Sequence, residues 1–276
     1  MLNYIIFILT ALLYIPVFIS LYQIRWDAVD YAHAYFILPV SLGIAFMKRG
    51  QIKENLTTEQ GKNITGLLLF LSGIIAYIFS NRMDFLVMVT FSIIPLLSGL
   101  ILFLYGTKMF RVLWFPILYL IFLVPPPAGI LDLVTMPMRY GVSVATQYIL
   151  VLFHYPVSRE GLLLSIDKHD LFIGQPCSGF RSLITMISLG AAYIYSIRGT
   201  LFNKCILSLS IIPFALLGNL MRIIILALIT YYFGEKAAMG FFHDFSGMFI
   251  FLIMIAALIM TEILLEKTGR KWRRKS

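Results

Sequence analysis

The chain alternates between long apolar runs without charges and short segments that contain most of its lysines and arginines. Several runs exceed the roughly 18 residues that a helix needs to cross a hydrocarbon layer about 30 Å thick. Taken as membrane spans, these runs predict helices at 2–23, 32–47, 63–80, 85–106, 112–127, 181–197, 206–229 and 245–266. The pattern therefore predicts an all-α fold, a polytopic bundle of about eight transmembrane helices.

The basic segments between these runs indicate the orientation, because loops rich in Lys and Arg remain on the cytoplasmic side of a membrane. The predicted cytoplasmic loops are residues 48–62, the pair Lys108 and Arg111, and the pair Arg198 and Lys204. An acidic loop with Asp27 and Asp30 is predicted to lie outside. With eight spans both termini are cytoplasmic, in agreement with the basic tail at 267–276.

The composition excludes an ordinary soluble domain, because 60% of the residues are hydrophobic and only 13% are charged. The net charge of +9 is compatible with a nucleic-acid partner, but basic residues cluster in the tail at 267–276. We interpret this tail as a cytoplasmic membrane anchor, with the lipid bilayer as partner and no nucleic acid. The whole chain, 1–276, is predicted to be a single integral membrane domain.

The segment between the fifth and sixth predicted spans departs from this pattern. Residues 130–153 are apolar enough to span, but they carry Asp132, Pro137 and Arg139. A ninth crossing there would also reverse the orientation on one side of the segment. We therefore predict an interfacial or re-entrant helix on the outer face, where protein or a wet cavity covers its backbone. Residues 158–173 predict a short extended or hairpin loop outside the membrane, directly before Cys177,.

Three reactive side chains fall at one membrane depth in this arrangement. Cys177 just precedes the sixth span on its outer side, and His243 just precedes the eighth. Arg222 lies within the seventh span, about two turns from its outer end. The orientation rests on lysines and arginines alone, so this convergence does not depend on any motif.

Cys177 is the candidate nucleophile, although a free cysteine is also commonly a small buried hydrophobic residue. Ser178 and Gly179 follow it and the sixth span begins at once, so the sulfur is predicted to lie near a helix N-terminus. A helix dipole and a nearby cation lower a thiol pKa, whereas apolar surroundings raise it, so a positive partner is needed. Cys205, at the cytoplasmic start of a span, is interpreted as a packing residue.

Arg222 is the first candidate for that partner. An arginine inside a membrane costs at least about 2.5–3.5 kcal/mol unless it is paired or faces water, which favours a functional role over snorkelling to the interface. Asn219 lies three residues earlier on the same helical face and is predicted to orient it. Arg181 follows Cys177 by one helical turn and is either a second candidate cation or an interfacial anchor.

His243 is the candidate general acid and base, although a lone histidine at an interface is more often structural. His169 is closer to Cys177 in sequence and is the rival base. The histidines and cysteines of the chain show no metal-ligand spacing, so we predict no metal and no other cofactor.

A cysteine, an arginine and a histidine at one site suit acyl transfer. The thiolate attacks a peptide carbonyl, and the guanidinium stabilises the negative charge that develops on its oxygen. The histidine protonates the leaving amine and later deprotonates the acceptor. Because a thioester passes its acyl group to an amine or to water, ligation and hydrolysis remain equal alternatives at this point.

Three segments of the chain resemble the motifs of the exosortase/archaeosortase family, and with weaker similarities they cover roughly residues 30–265. Pro176 departs from the family's cysteine motif, because many relatives have a small residue before the cysteine. The three segments are Gln175-Pro176-Cys177-Ser178-Gly179-Phe180-Arg181-Ser182, the run from Pro213 through Asn219 to Arg222, and His243-Asp244-Phe245-Ser246-Gly247.

The resemblance implies a polytopic cysteine transpeptidase at the outer, periplasmic face of the cytoplasmic (inner) membrane, with Cys177, Arg222 and His243 as its triad. It implies substrate proteins that end in a sorting signal made of a short motif, a transmembrane helix and a basic tail. Such an enzyme cuts near the motif and transfers the new C-terminus to a surface acceptor, often in connection with exopolysaccharide production. The alternative hypothesis is a non-enzymatic membrane component of exopolysaccharide export or assembly, in which Arg222 lines a polar path.

Overall fold

The computed structural model describes residues 2–23, 33–56, 63–174 and 177–273, and most of these residues are helical. The chain divides into two compact units, Met1–Pro127 and Ala128–Ser276. That the two form one membrane domain stays a prediction. Several residues named above lie outside the described residues: Asp27, Asp30, Lys62, Gln175, Pro176, and the last residues of the basic tail, 274–276.

The first unit is built from helices. They are α1 (Leu2–Leu21), α2 (Ala34–Met47), α3 (Arg49–Leu56), α4 (Ile64–Arg82), α5 (Leu86–Phe91) and α6 (Ile93–Tyr119), followed by a short 3-10 helix at Leu120–Leu123. Helices α4 and α6 pack closely, because a Cβ atom at Gly99 would lie only 2.2 Å from the backbone nitrogen of Phe70. Small residues at such crossings let membrane helices approach each other.

Within the described residues, four helical stretches are long and apolar enough to cross a membrane. This finding confirms an integral membrane protein, and the stretches cover five of the predicted spans. Over the first two predicted spans the apolar helices found are shorter, Ile5–Leu21 and Ala34–Met47, and α8 over the sixth has 17 residues, so the count of eight stays a prediction. The four stretches are Ile64–Arg82, Leu86–Leu123, Leu201–Phe233 and Phe245–Lys267.

One of these stretches contains two predicted spans. Leu86–Leu123 has 38 residues, which as a straight helix would measure about 57 Å, nearly twice the hydrocarbon thickness. The helix is interrupted at Gly106, whose φ of 78° and ψ of −175° are not helical. Glycine adopts this conformation without the steric penalty of a side chain. The break directly precedes the predicted cytoplasmic pair Lys108 and Arg111, which supports the division into two spans.

The second unit combines a small sheet with helices. Its elements are α7 (Ala128–Leu152), β1 (Val157–Glu160), β2 (Leu163–Ile166), β3 (His169–Phe172), α8 (Phe180–Ser196), α9 (Leu201–Phe233), α10 (Glu235–Met239) and α11 (Phe241–Arg273).

Helix α7 covers the segment predicted to be interfacial or re-entrant. It is amphipathic: Thr135, Ser143 and Thr146 are buried, whereas Leu133 and Tyr148 are exposed. It is absent from the apolar stretches long enough to cross a membrane that are found among the described residues. An apolar exposed face suits a helix at an interface, and the position of α7 in the bilayer stays a prediction.

The segment before Cys177 is extended, as predicted, and forms a three-stranded antiparallel sheet in the order β1-β2-β3. Successive residues of a strand point to opposite faces, and Leu164, Ile166 and Leu171 form the buried face. They pack in one cluster with Cys177 and with Ile223 of α9. The sheet therefore connects the cysteine to the middle of the long helix α9.

Helices α8, α9 and α11 share a second apolar cluster that contains Met186, Ile211 and Met254. Gly218 allows the close contact of α9 with α11, because a Cβ atom there would lie 2.9 Å from Cγ of Met254. The two clusters together fix the N-terminal end of α8 against α9.

Candidate functional site

A tight turn between β3 and α8 holds Cys177. Its backbone N–H donates to the carbonyl of Gly174 at 3.0 Å. The turn ends at Gly179, whose φ of 77° lies in the left-handed region and which is the N-cap of α8. The backbone N–H of Phe180 donates to Oγ of Ser178 at 3.2 Å. The Cys177 side chain is only 4% exposed, so the thiol lies inside the protein near a helix N-terminus.

Asn219 of α9 joins this turn to the helix. Its Nδ2 donates to the backbone carbonyl of Cys177 at 3.1 Å. The amide of Asn219 thus donates to the cysteine turn, and its predicted role in orienting Arg222 stays a prediction. The bond connects residues 42 positions apart in the chain, so it fixes tertiary structure.

Arg222 lies one turn beyond Asn219 on α9 and is 8% exposed. A Cβ atom at Gly247 of α11 would lie 3.4 Å from its Cζ and 3.5 Å from its Nε. The guanidinium therefore packs on a helix position without a side chain. The sequence did not identify Gly247 as a site residue, although its place in the histidine motif, four residues after His243, was a signal.

The electrostatics of the thiol reflect two opposed effects. Burial raises the pKa of Cys177, because the charged thiolate loses its hydration, and this effect dominates,. The positive charge of Arg222 and a backbone hydrogen bond from Gly174 lower the same pKa. Arg222 is thus close enough for its charge to affect the thiol, and its role as the positive partner in catalysis stays a prediction.

A small cavity of about 10 Å³ lies next to the guanidinium, between α8, α9 and α11. This volume corresponds to about one water molecule. Both polar and apolar residues line the cavity. The lining includes Ser182, Asn219, Arg222, Gly247, Ile250 and Met254.

His243 lies in the first turn of α11, four residues before Gly247. The side chains of residues 241–244 lie outside the described part of the molecule. The position of residue 243 at the start of the helix that contacts Arg222 is compatible with the predicted role, which stays a prediction.

The two rival residues lie in different surroundings. Arg181 is half-buried in the first turn of α8, where its carbonyl accepts a hydrogen bond from Oγ1 of Thr185. His169 begins β3, and its Cε1 would lie 3.8 Å from a Cβ atom at Gly234, at the end of α9. Gly234 is about 18 Å along the helix axis from Arg222. Arg181 therefore remains near the cysteine turn, whereas His169 lies beside the end of α9.

The fold and this site define an integral membrane protein with a buried thiol and a helix-borne arginine that acts on it. A family model for the transmembrane exosortases matches residues 26–260, most of the chain, and the chain belongs to that family. Membership supports a membrane transpeptidase-like role in general terms. A search of curated proteins and a search of solved structures each gave no match.

Proposed function

We propose that this protein is a membrane cysteine transpeptidase, with Cys177 as nucleophile, Arg222 as oxyanion stabiliser and His243 as general acid and base. The observation that carries the proposal is the buried Cys177 thiol, whose pKa the charge of Arg222 lowers. The turn that holds Cys177 is hydrogen-bonded to Asn219, on the same helix as Arg222. Membership of the exosortase family adds independent support.

The reaction has two steps. The Cys177 thiolate attacks the scissile carbonyl, a C–S bond forms, the C–N bond breaks, and the amine leaves with a proton from His243. An acceptor nucleophile, deprotonated by His243, then attacks the thioester, and the thiolate leaves. Arg222 stabilises the oxyanion of both tetrahedral intermediates. Neither step needs a metal, an oxidant or a reductant.

The substrates in this proposal are exported proteins whose C-terminal signal comprises a short motif, a transmembrane helix and a basic tail. The active site faces outward from the cytoplasmic membrane, both termini are cytoplasmic, and the acceptor is a surface molecule connected with exopolysaccharide. The orientation is supported by the basic loops 48–62 and 198–204 and by the basic tail,.

A pair of cysteine variants tests the proposal. The reporter is a tagged protein ending in a short motif, an apolar helix and a basic tail, taken from the same genome. Cys177→Ser is expected to insert normally and to abolish processing, whereas Cys205→Ser, the matched control, processes like the wild type. Full processing by Cys177→Ser would contradict the nucleophile assignment. A transport component would instead lose function with Arg222→Ala and retain it with Cys177→Ser.

A further inference from the structure

The side-chain amide of Asn219 is buried and has a fixed orientation. Only 2% of the residue is exposed, and the amide contacts the carbonyl oxygen of Cys177 at 3.1 Å. A carbonyl oxygen only accepts hydrogen bonds, so the amide nitrogen must be the atom that faces Cys177. The oxygen Oδ1 therefore points away from the cysteine turn.

That oxygen has no hydrogen-bond partner among the residues that the structure describes. A buried acceptor without a partner destabilises a protein, and most buried side-chain polar atoms do have one. An apolar residue of similar volume would remove this penalty, but it would leave the Cys177 carbonyl without its donor from Asn219,. The amide therefore makes one buried hydrogen bond and leaves one acceptor unpaired, and the donor to Cys177 is what distinguishes it from an apolar residue of similar volume.

The Asn219 side chain also packs directly on Gly179, in the same turn as Cys177. A Cβ atom at Gly179 would lie 2.7 Å from Cγ of Asn219, and Gly179 has a φ of 77°. Only glycine fits both the left-handed backbone and the space left by Asn219. The turn is therefore held against α9 at two points, the carbonyl of Cys177 and the Cα of Gly179.

We propose that Asn219 is a positioning residue, which fixes the cysteine turn on α9 so that the Cys177 thiol and the Arg222 guanidinium keep one geometry during acyl transfer. This inference rests on the proposed function and deepens it. In this role Asn219 acts through its hydrogen bond to the backbone of Cys177. A misplacement of about 1 Å at a reacting group reduces rates by about 100-fold.

The first test is Asn219→Leu, which keeps the approximate volume and removes both the donor and the acceptor without a partner. We expect the thermal midpoint of the purified protein to change little, because the variant removes the unpaired Oδ1 but also removes the donor to the Cys177 carbonyl,. The rate kcat for the tagged reporter is expected to fall about 100-fold with little change in KM, because positioning affects the transition state. The matched control is Thr230→Val, since Thr230 is fully buried on the same helix and its hydroxyl donates to the carbonyl of Leu226, within α9 itself; it is expected to retain kcat.

The second test remains informative if Asn219→Leu fails to fold. Gly179→Ala is measured in the wild type and in an Asn219→Gly background, which removes the Cβ, Cγ and Nδ2 atoms that would crowd the new Cβ. We expect Gly179→Ala to lower kcat strongly in the first case and less in the second, where the clash with Asn219 is gone and only the strain of the left-handed backbone remains, a coupling that independent sites do not have.

The outcomes separate this inference from the proposed function. If Cys177→Ser abolishes processing while Asn219→Leu retains full kcat, or if the two Gly179→Ala effects are equal, the positioning role of Asn219 is wrong and the proposed function stands. If Cys177→Ser still processes the reporter, both proposals fail. A loss of kcat in Asn219→Leu with an unchanged thermal midpoint and with the expected coupling supports the positioning role.

Discussion

The two cysteines of this chain have the same side chain in two very different environments. Cys177 is buried, its backbone is bonded to Asn219, and the Arg222 charge acts on its thiol. Cys205 is exposed in the second turn of α9. About 25 Å of helix separates Cys205 from Arg222. The comparison teaches that the environment of a thiol, rather than its presence in a membrane protein, indicates chemistry.

Removal of the Arg222 charge is expected to have the largest effect, because it takes away the main chemical difference between the two environments. Arg222→Gln keeps a long polar side chain without the positive charge. We expect processing of the tagged reporter to fall about 100- to 1,000-fold, the range for loss of one oxyanion-stabilising group. Membrane insertion, measured by fractionation, should remain normal. Processing at the wild-type rate would show that Arg222 makes no catalytic contribution and leave Arg181 as the candidate cation.

The pH profile of thiol alkylation sharpens the same comparison. Burial raises the pKa of Cys177 and the Arg222 charge opposes this shift. In a Cys205→Ser background, which leaves Cys177 as the reactive cysteine, Arg222→Gln is expected to move the alkylation profile to higher pH, because the opposing charge is lost. The measurement is the alkylation rate by a small neutral reagent across a pH series. An alkylation profile that moves to lower pH, or does not move, would contradict the effect of the Arg222 charge on the pKa of the Cys177 thiol.

The smallest effect on processing is expected from Gly247→Ala. Substitutions at this position test how much space the Arg222 guanidinium needs. A Cβ atom there would make an ordinary contact of 3.4 Å with Cζ of Arg222. Gly247→Ala is therefore expected to change processing little and to favour the helix by up to about 1 kcal/mol. Gly247→Leu must displace the guanidinium and is expected to reduce processing clearly. Equal activity of both variants in the reporter assay would show that the guanidinium position is not critical.

The hydropathy pattern predicted the elements that depend on local composition. The spans at 63–80, 206–229 and 245–266 correspond to the apolar stretches Ile64–Arg82, Leu201–Phe233 and Phe245–Lys267, because length and apolarity decide which helices suit a bilayer,. The strands before Cys177 followed from alternating polarity. The position of α7 in the bilayer could not be predicted from the hydropathy pattern, because an amphipathic helix with buried threonines fits more than one location.

The candidate site was predictable in its residue types and not in its contacts. The cost of an intramembrane arginine identified Arg222, and its charge does act on Cys177,. The i, i+3 spacing suggested that Asn219 orients Arg222, because spacing reports neighbours on one helix. The bond from Asn219 to Cys177 joins segments 42 residues apart, and the left-handed Gly179 depends on the packing of that same amide. Such tertiary contacts leave no periodic signal in one sequence.

The most direct measurement of the central claim is the capture of the acyl-enzyme. The purified protein is mixed with the tagged reporter, quenched in acid, and analysed by mass spectrometry of its peptides. We expect the N-terminal part of the reporter to be attached to Cys177 through a bond that hydroxylamine cleaves, as a thioester requires, and to be absent from Cys177→Ser. An adduct on another residue, or processing without any hydroxylamine-sensitive adduct, would contradict Cys177 as the attacking nucleophile.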